Sequence, residues 1–329
     1  MWILAGLIAS LLLAVLIYLA SQNGRFHVLR SLEIDATVES VYAAVLDLKS
    51  WPLWSPWLMQ EAGARLDYSE TVDAEGGYCS WDGKIVGAGK VTHVEIRNGR
   101  TIQQQLEFKR PFKSVGQVDW EFKKIGVRSL VTWEMRGKMP FLYRFMAKRM
   151  EPMIGRDFEL GLALLGGYLN EAIPHPQLKF VGEEKLEQFH YWAIPFNGNL
   201  RQLEAARRSS IETLRSSPAS RIGLALTLYQ QFDPLGVKFQ AEIAVPTGDN
   251  PPLSNYRQRS FDGGHYFKMT LQGDLRFLPL GWHALASHCR MHKIKTEPTR
   301  PALEIYHQDP GATDNSNQQL TTLFLPIRK

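Results

Sequence analysis

The sequence predicts an α+β protein in which two soluble domains follow an apolar helix. Its 329 residues suit two domains of the usual size, about 150 residues each. Three observations carry this prediction: an uncharged opening segment, a break marked by Pro174 and Pro176, and alternating apolar residues on both sides of that break. With 44% hydrophobic and 22% charged residues, the composition is globular rather than disordered.

Cysteine usage and charge exclude several classes of protein. Cys79 and Cys289 are the two cysteines of the chain, and their separation excludes a disulfide-stapled scaffold and a zinc ribbon. The formal net charge of +5 is too small to indicate nucleic-acid binding, and no helix-turn-helix pattern is present. We therefore predict no nucleic-acid partner.

The opening segment predicts a single membrane-spanning helix. Residues 2–20 carry no charge, and a helix of that length approaches the roughly 30 Å hydrocarbon thickness of a bilayer. A cleaved signal peptide is the alternative, but the basic region that normally precedes its apolar core is missing. Arg25 and Arg30 follow the helix, so the positive-inside rule predicts a single-pass protein of the cell membrane with cytoplasmic domains.

Two prolines in three residues divide the soluble part. Proline ends a helix and forces extended geometry on the residue before it. We therefore assign residues 1–24 to the anchor, 25–173 to a first domain and 174–329 to a second domain.

The sequence pattern of the first domain predicts a strand, a short helix, an antiparallel meander and a long helix. Residues 26–36 alternate as a strand, and Thr37 is a plausible N-cap for a helix over 38–48. Later segments alternate in the same way, although Gln104 interrupts the apolar positions of one of them. Residues 152–170 place apolar residues on one helical face.

This domain resembles the polyketide cyclase/dehydrase-like branch of the SRPBCC superfamily over residues 26–172. The residues that carry the resemblance are Val41–Asp47, Trp51, Trp54–Trp57, Tyr78–Gly83, Gly87–Gly89 and Gly155–Leu162. The resemblance implies a helix-grip (START-like) fold, in which a curved antiparallel sheet wraps around a long C-terminal helix. Such folds usually enclose an apolar cavity for a lipid-like or aromatic molecule, but they do not specify a chemistry.

Three tryptophans of this domain are candidate ligand contacts. Trp54, Trp57 and Trp81 could line a cavity, although aromatic residues in a domain of this size more often serve packing. Close to the long helix, Arg144, Lys148 and Arg149 could meet anionic lipid head groups or simply form a solvated face.

The second domain contains an internal duplication. Four landmarks recur in the same order at offsets of 75, 77, 76 and 80 residues, namely Gly198 and Gly273, Tyr229 and Tyr306, Pro234 and Pro310, and Pro246 and Pro326. This repetition predicts two β-α-β-β units with helices over about 197–215 and 272–292. A groove between two such units is a natural ligand site.

This half resembles the GyrI-like small-molecule-binding domain, also called the effector-binding domain. The residues that carry the resemblance are Glu242–Pro246, Gly263–Tyr266, Trp282, Pro301–Tyr306 and Leu325–Ile327. The resemblance implies that Glu304 faces the groove and meets cationic or polarised ligands, with Trp282 and Tyr306 as aromatic neighbours, and Tyr266 is a further candidate ligand contact. A carboxylate among aromatic faces attracts a lipophilic cation. The His-x-Gly-Pro-Tyr stretch of the family is altered at 271–275, and an exposed strand carboxylate is the alternative for Glu304.

Other familiar sites lack support. Gly87–Lys90 does not have P-loop spacing, and no Gly-x-Ser-x-Gly elbow supports Ser-His-Asp catalysis. His288 and His292 form an i, i+4 pair beside Cys289, but a metal needs further ligands. We predict neither a cofactor nor a metal.

Three functions remain open from the sequence. The first is a membrane-anchored protein that binds small lipophilic or cationic molecules in two cavities. The second is a hydrolase or cyclase in which Glu304 acts as a base or electrostatic stabiliser. The third is a protein-interaction module whose pockets are vestigial.

Overall fold

A computed structural model describes residues 2–61, 63–169, 177–198, 202–203, 205–207, 209–210, 225–230, 239–246, 255–307 and 319–329. The chain forms two compact units, Met1–Asn170 and Glu171–Lys329. The predicted break at Pro174 lies outside the described residues, as do the repeat landmarks Pro234 and Pro310.

The chain begins with helix α1, which spans Trp2–Ser21. Its side chains are described from Leu7 onward, and those from Leu7 to Tyr18 are exposed. Within the described part of the chain, no helix was found that is both long and apolar enough to cross a membrane.

The first unit is built on a seven-stranded sheet in which all neighbours run antiparallel. Its strands are β1 (Arg25–Ile34), β2 (Arg65–Tyr68), β3 (Tyr78–Asp82), β4 (Ala88–Arg97), β5 (Thr101–Arg110), β6 (Ser114–Ile125) and β7 (Arg128–Lys138). The spatial order β1-β7-β6-β5-β4-β3-β2 is a meander whose first strand closes onto the last.

Two helices cover this sheet. Helix α2 spans Val38–Leu46, and the Ser40 backbone N–H donates to Thr37 Oγ1 at 3.2 Å, so Thr37 caps this helix as its sequence predicts. Short 3₁₀ segments at Trp51–Leu53 and Leu58–Gln60 follow, and another at Phe141–Met146 leads into helix α3 (Ala147–Leu169). The α+β class and the helix-grip arrangement predicted for this domain are therefore confirmed.

Helix α3 begins five residues earlier than the sequence predicted and includes Pro152. Pro152 lacks the N–H that would bond to the carbonyl of Lys148, which is why the pattern indicated a helix start there. Ala147 and Met150 are buried against Met139, and this packing stabilises the first turns despite the missing bond.

The core of the first unit lies between α3 and the sheet. Phe158, Leu162 and Leu165 recur at helical spacing and are buried against the sheet residues Val28 and Trp133. Gly161 allows the closest approach, because a Cβ at this position would lie 2.8 Å from Trp133 Cζ3. The helix therefore rests directly on the indole.

The second unit is an eight-stranded antiparallel sheet covered by helix α4 (Leu278–Met291), which follows a 3₁₀ turn at Leu275–Phe277. Its strands are β8 (Gln177–Leu186), β9 (Phe189–Gly198), β10 (Leu226–Tyr229), β11 (Phe239–Pro246), β12 (Arg257–Phe261), β13 (Gly264–Gln272), β14 (Ala302–Tyr306) and β15 (Leu320–Pro326).

The helix predicted from Asn197 begins later than expected. Asn197 and Gly198 end β9, where Gly198 pairs with Phe239 of β11, and helical residues are described from Gln202. Sheet pairing therefore overrides the turn-like Asn-Gly-Asn pattern at this point.

The strand order of the second sheet is a mirror image about its centre. The order is β12-β9-β11-β10-β14-β15-β13-β8. Two segments therefore share one arrangement of elements: β9, helical residues, β10 and β11 in the first, and β13, α4, β14 and β15 in the second. The two segments meet at the centre of the sheet, where β10 pairs with β14. Residues from the two segments meet along this central pair.

Replacing Gly161 with alanine should destabilise the first unit. The new methyl group overlaps an indole held between two other rings, so we expect a loss of about 1–3 kcal/mol in unfolding free energy. Gly166→Ala in the same helix is the matched control, because its Cβ would meet Ile34 at an ordinary 3.8 Å. Urea unfolding of the detergent-purified chain should show Gly166→Ala neutral or up to about 1 kcal/mol more stable. Equal effects of the two variants would contradict the packing.

Candidate functional sites

The first site is a stack of three aromatic rings inside the first unit. Trp133 lies between Trp120 and Phe158, with ring centroids 4.2 Å from Trp120 and 4.1 Å from Phe158, and the planes of Trp133 and Phe158 are 7° apart. All three side chains are buried. Adjacent strands β6 and β7 supply the indoles because Trp120 and Trp133 are direct cross-strand neighbours.

The predicted Trp54 and Trp57 contact this stack edge-on. Trp54 is buried and presents its edge to Trp120 and Trp133 at 6.1 and 6.2 Å. Trp57 is partly exposed and lies edge-on to Trp133 and Phe158 at 5.6 and 6.1 Å. Trp54 therefore belongs to the interior, while Trp57 joins the interior to the surface.

Trp81 lies apart from the stack. It is partly exposed on β3, lies against the backbone of its cross-strand neighbour Gly89, and contacts Phe108 edge-on at 6.0 Å. A side chain on residue 89 would collide with this indole, so the glycine allows Trp81 to lie flat on the sheet.

A hydrogen-bonded chain of buried polar groups borders the aromatic stack. Trp120 Nε1 donates to Gln104 Oε1 at 3.0 Å, Gln104 Nε2 lies 3.3 Å from His93 Nδ1, and His93 Nε2 lies 2.9 Å from the Leu46 carbonyl. Because a carbonyl only accepts, Nε2 carries the proton and Nδ1 accepts from the amide. Burial lowers the pKa of His93, which favours the neutral imidazole in this series of hydrogen bonds.

The sequence contained one signal for this polar chain. Gln104 occupies an inward position of β5 between Ile102 and Leu106, where the alternation requires an apolar residue. A polar residue at such a position requires buried partners, but its partners Trp120 and His93 come from other strands and could not be identified from the pattern.

Trp133 differs from Trp120 in its hydrogen bonding. Its Nε1 is buried and has no hydrogen-bond partner among the described residues. A buried donor without a partner costs about 1–3 kcal/mol, so this N–H is a point at which a ligand oxygen would be stabilised.

The second site surrounds Glu304, which is fully buried at the centre of the second sheet. Glu304 lies on β14, paired with Thr227 of β10 and Leu323 of β15. Tyr229 Oη donates to Oε1 at 2.7 Å, and Trp282 Nε1 donates to the same oxygen at 2.5 Å. Tyr306 Oη donates to Oε2. The structure thus brings together the predicted residues Glu304, Trp282 and Tyr306, and adds Tyr229.

Arg207 supplies the positive charge at this site. Its side chain is 4% exposed, and Nη1 lies 3.5 Å from Glu304 Oε2 and donates to Tyr306 Oη at 2.7 Å. The guanidinium also lies over the Tyr306 ring, 4.7 Å from the centroid. Burial raises the pKa of Tyr229 and of Tyr306, and the charge of Glu304 raises both further, so both phenols remain protonated donors.

The residues around Glu304 are related by the internal duplication. Tyr229 and Tyr306 are one landmark pair at an offset of 77 residues (306 − 229), and both hydroxyl groups bond to the same carboxylate. Trp282 and Arg207 differ by 75 residues (282 − 207), the offset of the glycine landmarks, and reach Glu304 from corresponding helical positions. Sequence reasoning missed Arg207, although the repeat offset from Trp282 could have identified it.

Tyr266 lies elsewhere in the second unit. It is fully buried on β13, donates to the Pro301 carbonyl at 3.1 Å and packs with Phe261 and Phe324. This cluster differs from the one that contains Trp282 and Tyr306. Tyr266 therefore does not join Glu304.

The histidine pair at the C-terminal end of α4 forms a ring stack. His288 lies 4.0 Å from the Phe180 ring and 3.9 Å from the His292 ring. Burial and the neighbouring His292 lower the pKa of His288 to about 4, and burial raises the pKa of Cys289 to about 12. Among the described residues, no group of three or more His, Cys, Asp or Glu side chains is arranged to hold a metal ion.

Comparison with known proteins identifies the first unit. Residues 25–169 match the family described as polyketide cyclase / dehydrase and lipid transport, so this segment is a polyketide cyclase-like SRPBCC domain. No curated protein matches the chain.

Three solved structures that are similar to the chain each match less than half of it. CalU16 from Micromonospora echinospora is 16% identical with a TM-score of 0.33, and the match covers 44% of this chain and 76% of that chain. MLL2253 from Mesorhizobium loti is 13% identical with a TM-score of 0.35, covering 44% and 98%. SAV2435 bound to tetraphenylphosphonium is 16% identical with a TM-score of 0.35, covering 46% and 94%.

Replacing Arg207 with methionine should strongly destabilise the second unit. The substitution leaves the Glu304 charge buried without its counterion, which costs about 3–5 kcal/mol. Arg328→Met is the matched control, because Arg328 pairs with Glu297 at the surface and its loss costs about 0–1 kcal/mol. In urea unfolding, Arg207→Met combined with Glu304→Gln should lose less stability than the sum of the two single variants. Simple additivity would show that the pair is not coupled.

Proposed function

We propose that this protein is a membrane-attached small-molecule-binding protein whose first domain holds a lipophilic ligand with an acceptor oxygen. The observation that carries the proposal is the buried, unpartnered Nε1 of Trp133 within an aromatic interior. Membership of residues 25–169 in a family that includes lipid transport supports ligand binding by this domain.

The aromatic interior determines the chemistry of the ligand. Trp120 and Phe158 cover the two faces of Trp133, so a ligand that reaches Nε1 would meet the edges of these rings, and such a lining favours an apolar molecule. A carbonyl, ether or hydroxyl oxygen on that molecule would accept from Trp133 Nε1 and satisfy the donor. The partly exposed Trp57 lies edge-on to Trp133 and Phe158, and we expect a ligand to enter beside it.

The Glu304 site of the second domain favours a cationic ligand. The Arg207 guanidinium already lies beside the carboxylate, where such a ligand would bind. The resemblance to GyrI-like domains and the mirror-image strand order both favour a ligand site between the two repeats. In this arrangement Glu304 accepts from Tyr229, Trp282 and Tyr306 and faces Arg207. An external cation would therefore have to displace the Arg207 guanidinium.

The same contacts weigh against the alternative of a hydrolase or cyclase that uses Glu304. A general base needs a free lone pair directed at the substrate, and both oxygens of Glu304 are already engaged by buried donors. Ligand binding is therefore the better-supported function.

Attachment to the membrane rests on the sequence of α1. Trp2–Ser21 forms one continuous helix without a charged residue, and Arg25 and Arg30 follow it. We expect a single-pass protein of the cell membrane whose domains lie in the cytoplasm.

Removing the Trp133 donor should weaken binding of an oxygen-containing ligand without disrupting the domain. We expect Trp133→Phe to lower the affinity for 2-acetylnaphthalene about 2–10-fold, since one hydrogen bond is lost, and to leave the affinity for 2-ethylnaphthalene unchanged. Ligand-induced quenching of tryptophan fluorescence in the detergent-purified chain measures both affinities.

Trp120→Phe is the control for this substitution. Its indole donates to Gln104, so its loss should lower stability rather than discriminate between the two probes. Absence of binding of both probes to the unmodified protein, together with absence of a co-purifying small molecule in native mass spectrometry, would contradict the proposal.

The predicted anchor and its orientation are tested together. A full-length chain with a C-terminal green fluorescent protein should stay in the membrane fraction after alkaline carbonate washing and should fluoresce, as a cytoplasmic reporter does. If a C-terminal alkaline phosphatase fusion were active instead, the domains would lie on the opposite side of the membrane from the one predicted. Release of the chain by carbonate would contradict the anchor.

A further inference from the structure

One end of the first domain carries a group of exposed apolar side chains. In the 3₁₀ segment before α3, Leu142 is 63% exposed and Phe145 is 49% exposed, while Phe141 and Tyr143 are each 39% exposed. We call these four residues the Phe141 patch. Large apolar side chains gathered at such exposure indicate a surface that meets an apolar medium or a partner.

Cationic side chains surround the Phe141 patch. Lys148 and Arg149 follow it in the first turn of α3, and Arg25, Lys113 and Lys138 lie at the same end of the sheet. All five are exposed, and none makes an ion pair with a described residue. The carboxylate that follows this group, Glu151, is paired with Arg30.

A neighbouring turn extends this amphipathic surface. The ring of Phe112, between β5 and β6, stacks on Tyr143 with centroids 4.9 Å apart. Val115, at the start of β6, is 58% exposed. The surface is therefore built from two separate segments of the domain rather than from one mobile loop.

The position of α1 identifies the medium that this surface meets. Helix α1 ends at Ser21 and β1 begins at Arg25, so the link between them spans at most about 14 Å. α1 contacts the 3₁₀ segment that carries the Phe141 patch, and the Met139 N–H donates to the Gly24 carbonyl at 2.8 Å. Arg144 packs against Gly24 as well. The patch is thus fixed beside the C-terminal end of α1.

We propose that the Phe141 patch inserts into the interface of an anionic phospholipid bilayer, with Lys148, Arg149 and Arg25 contacting the lipid phosphates. Aromatic and leucine side chains flanked by cations suit this interface, where apolar groups enter the acyl boundary and positive charges meet anionic head groups. The inference rests on the membrane attachment proposed above and adds a second contact, which fixes the orientation of the domain on the bilayer.

Spin labelling of the full-length chain tests this contact. The protein carrying Leu142→Cys is reconstituted into phosphatidylcholine vesicles with and without phosphatidylglycerol, and the accessibility of the label to oxygen and to a nickel chelate is measured. The native Cys79 and Cys289 are buried, so they do not compete for the label. We expect the Leu142 label to become oxygen-accessible and nickel-protected, and more so in vesicles that contain phosphatidylglycerol.

Val127→Cys is the matched control. Val127 is an equally apolar side chain, 84% exposed, in the turn at the opposite end of the β6–β7 hairpin, and its label should remain accessible to nickel. Adding Lys148→Glu and Arg149→Glu to the Leu142→Cys chain should move the label toward water and abolish the effect of phosphatidylglycerol.

The outcomes separate this inference from the anchor. If the chain is recovered with the vesicles but the Leu142 label is as wet as the Val127 label, the surface contact is refuted and the anchor stands. If the chain is not recovered with the vesicles, both fail. Spin–spin broadening at Leu142 would mean that a second copy covers the patch, which overturns the lipid contact.

Discussion

Burial of the Glu304 carboxylate is the constraint on which the second domain depends. A charge that is completely removed from water must be compensated within the protein, and here the compensation comes from both repeats. Tyr229 and Arg207 belong to the first repeat, and Trp282 and Tyr306 to the second. The carboxylate therefore joins the two halves of the sheet, and neither half can satisfy it alone.

The interior of the first domain differs from the Glu304 site because no charged group among its described residues has to be compensated there. There the polar groups are neutral, and a directed chain from Trp120 through Gln104 to His93 satisfies them. Trp133 stacks on Trp120 but lies outside this chain, so its N–H is the group left unsatisfied. Hydrogen bonding therefore distinguishes the two indoles: Trp120 is satisfied by Gln104, whereas Trp133 is the candidate binding residue. Composition alone could not separate them.

The sequence predicted the local features of the fold better than the contacts between distant segments. Thr37 identified a helix start because a cap is a local interaction, whereas Pro152 wrongly indicated one because the packing of Ala147 and Met150 outweighs a missing hydrogen bond. Glu304 and Trp282 could be named from a resemblance. Arg207 could be reached only through the repeat offset from Trp282, because nothing near it in sequence shows that its charge faces a buried carboxylate.

The Glu304 site is chemically asymmetric although the two segments that form it have the same strand layout. At the centre of the sheet Glu304 is paired with Thr227, its counterpart at an offset of 77 residues (304 − 227), and across the site Trp282 corresponds to Arg207. Two carboxylates at these positions would repel each other, and two indoles would leave one buried charge without a counterion. The two repeats thus supply one carboxylate and one guanidinium, while a tyrosine from each repeat directs its hydroxyl group at the carboxylate. Any cation that binds there must compete with the guanidinium of Arg207, which is covalently part of the protein. A ligand therefore gains most if it replaces both the positive charge of Arg207 and the contact between Arg207 and the Tyr306 ring.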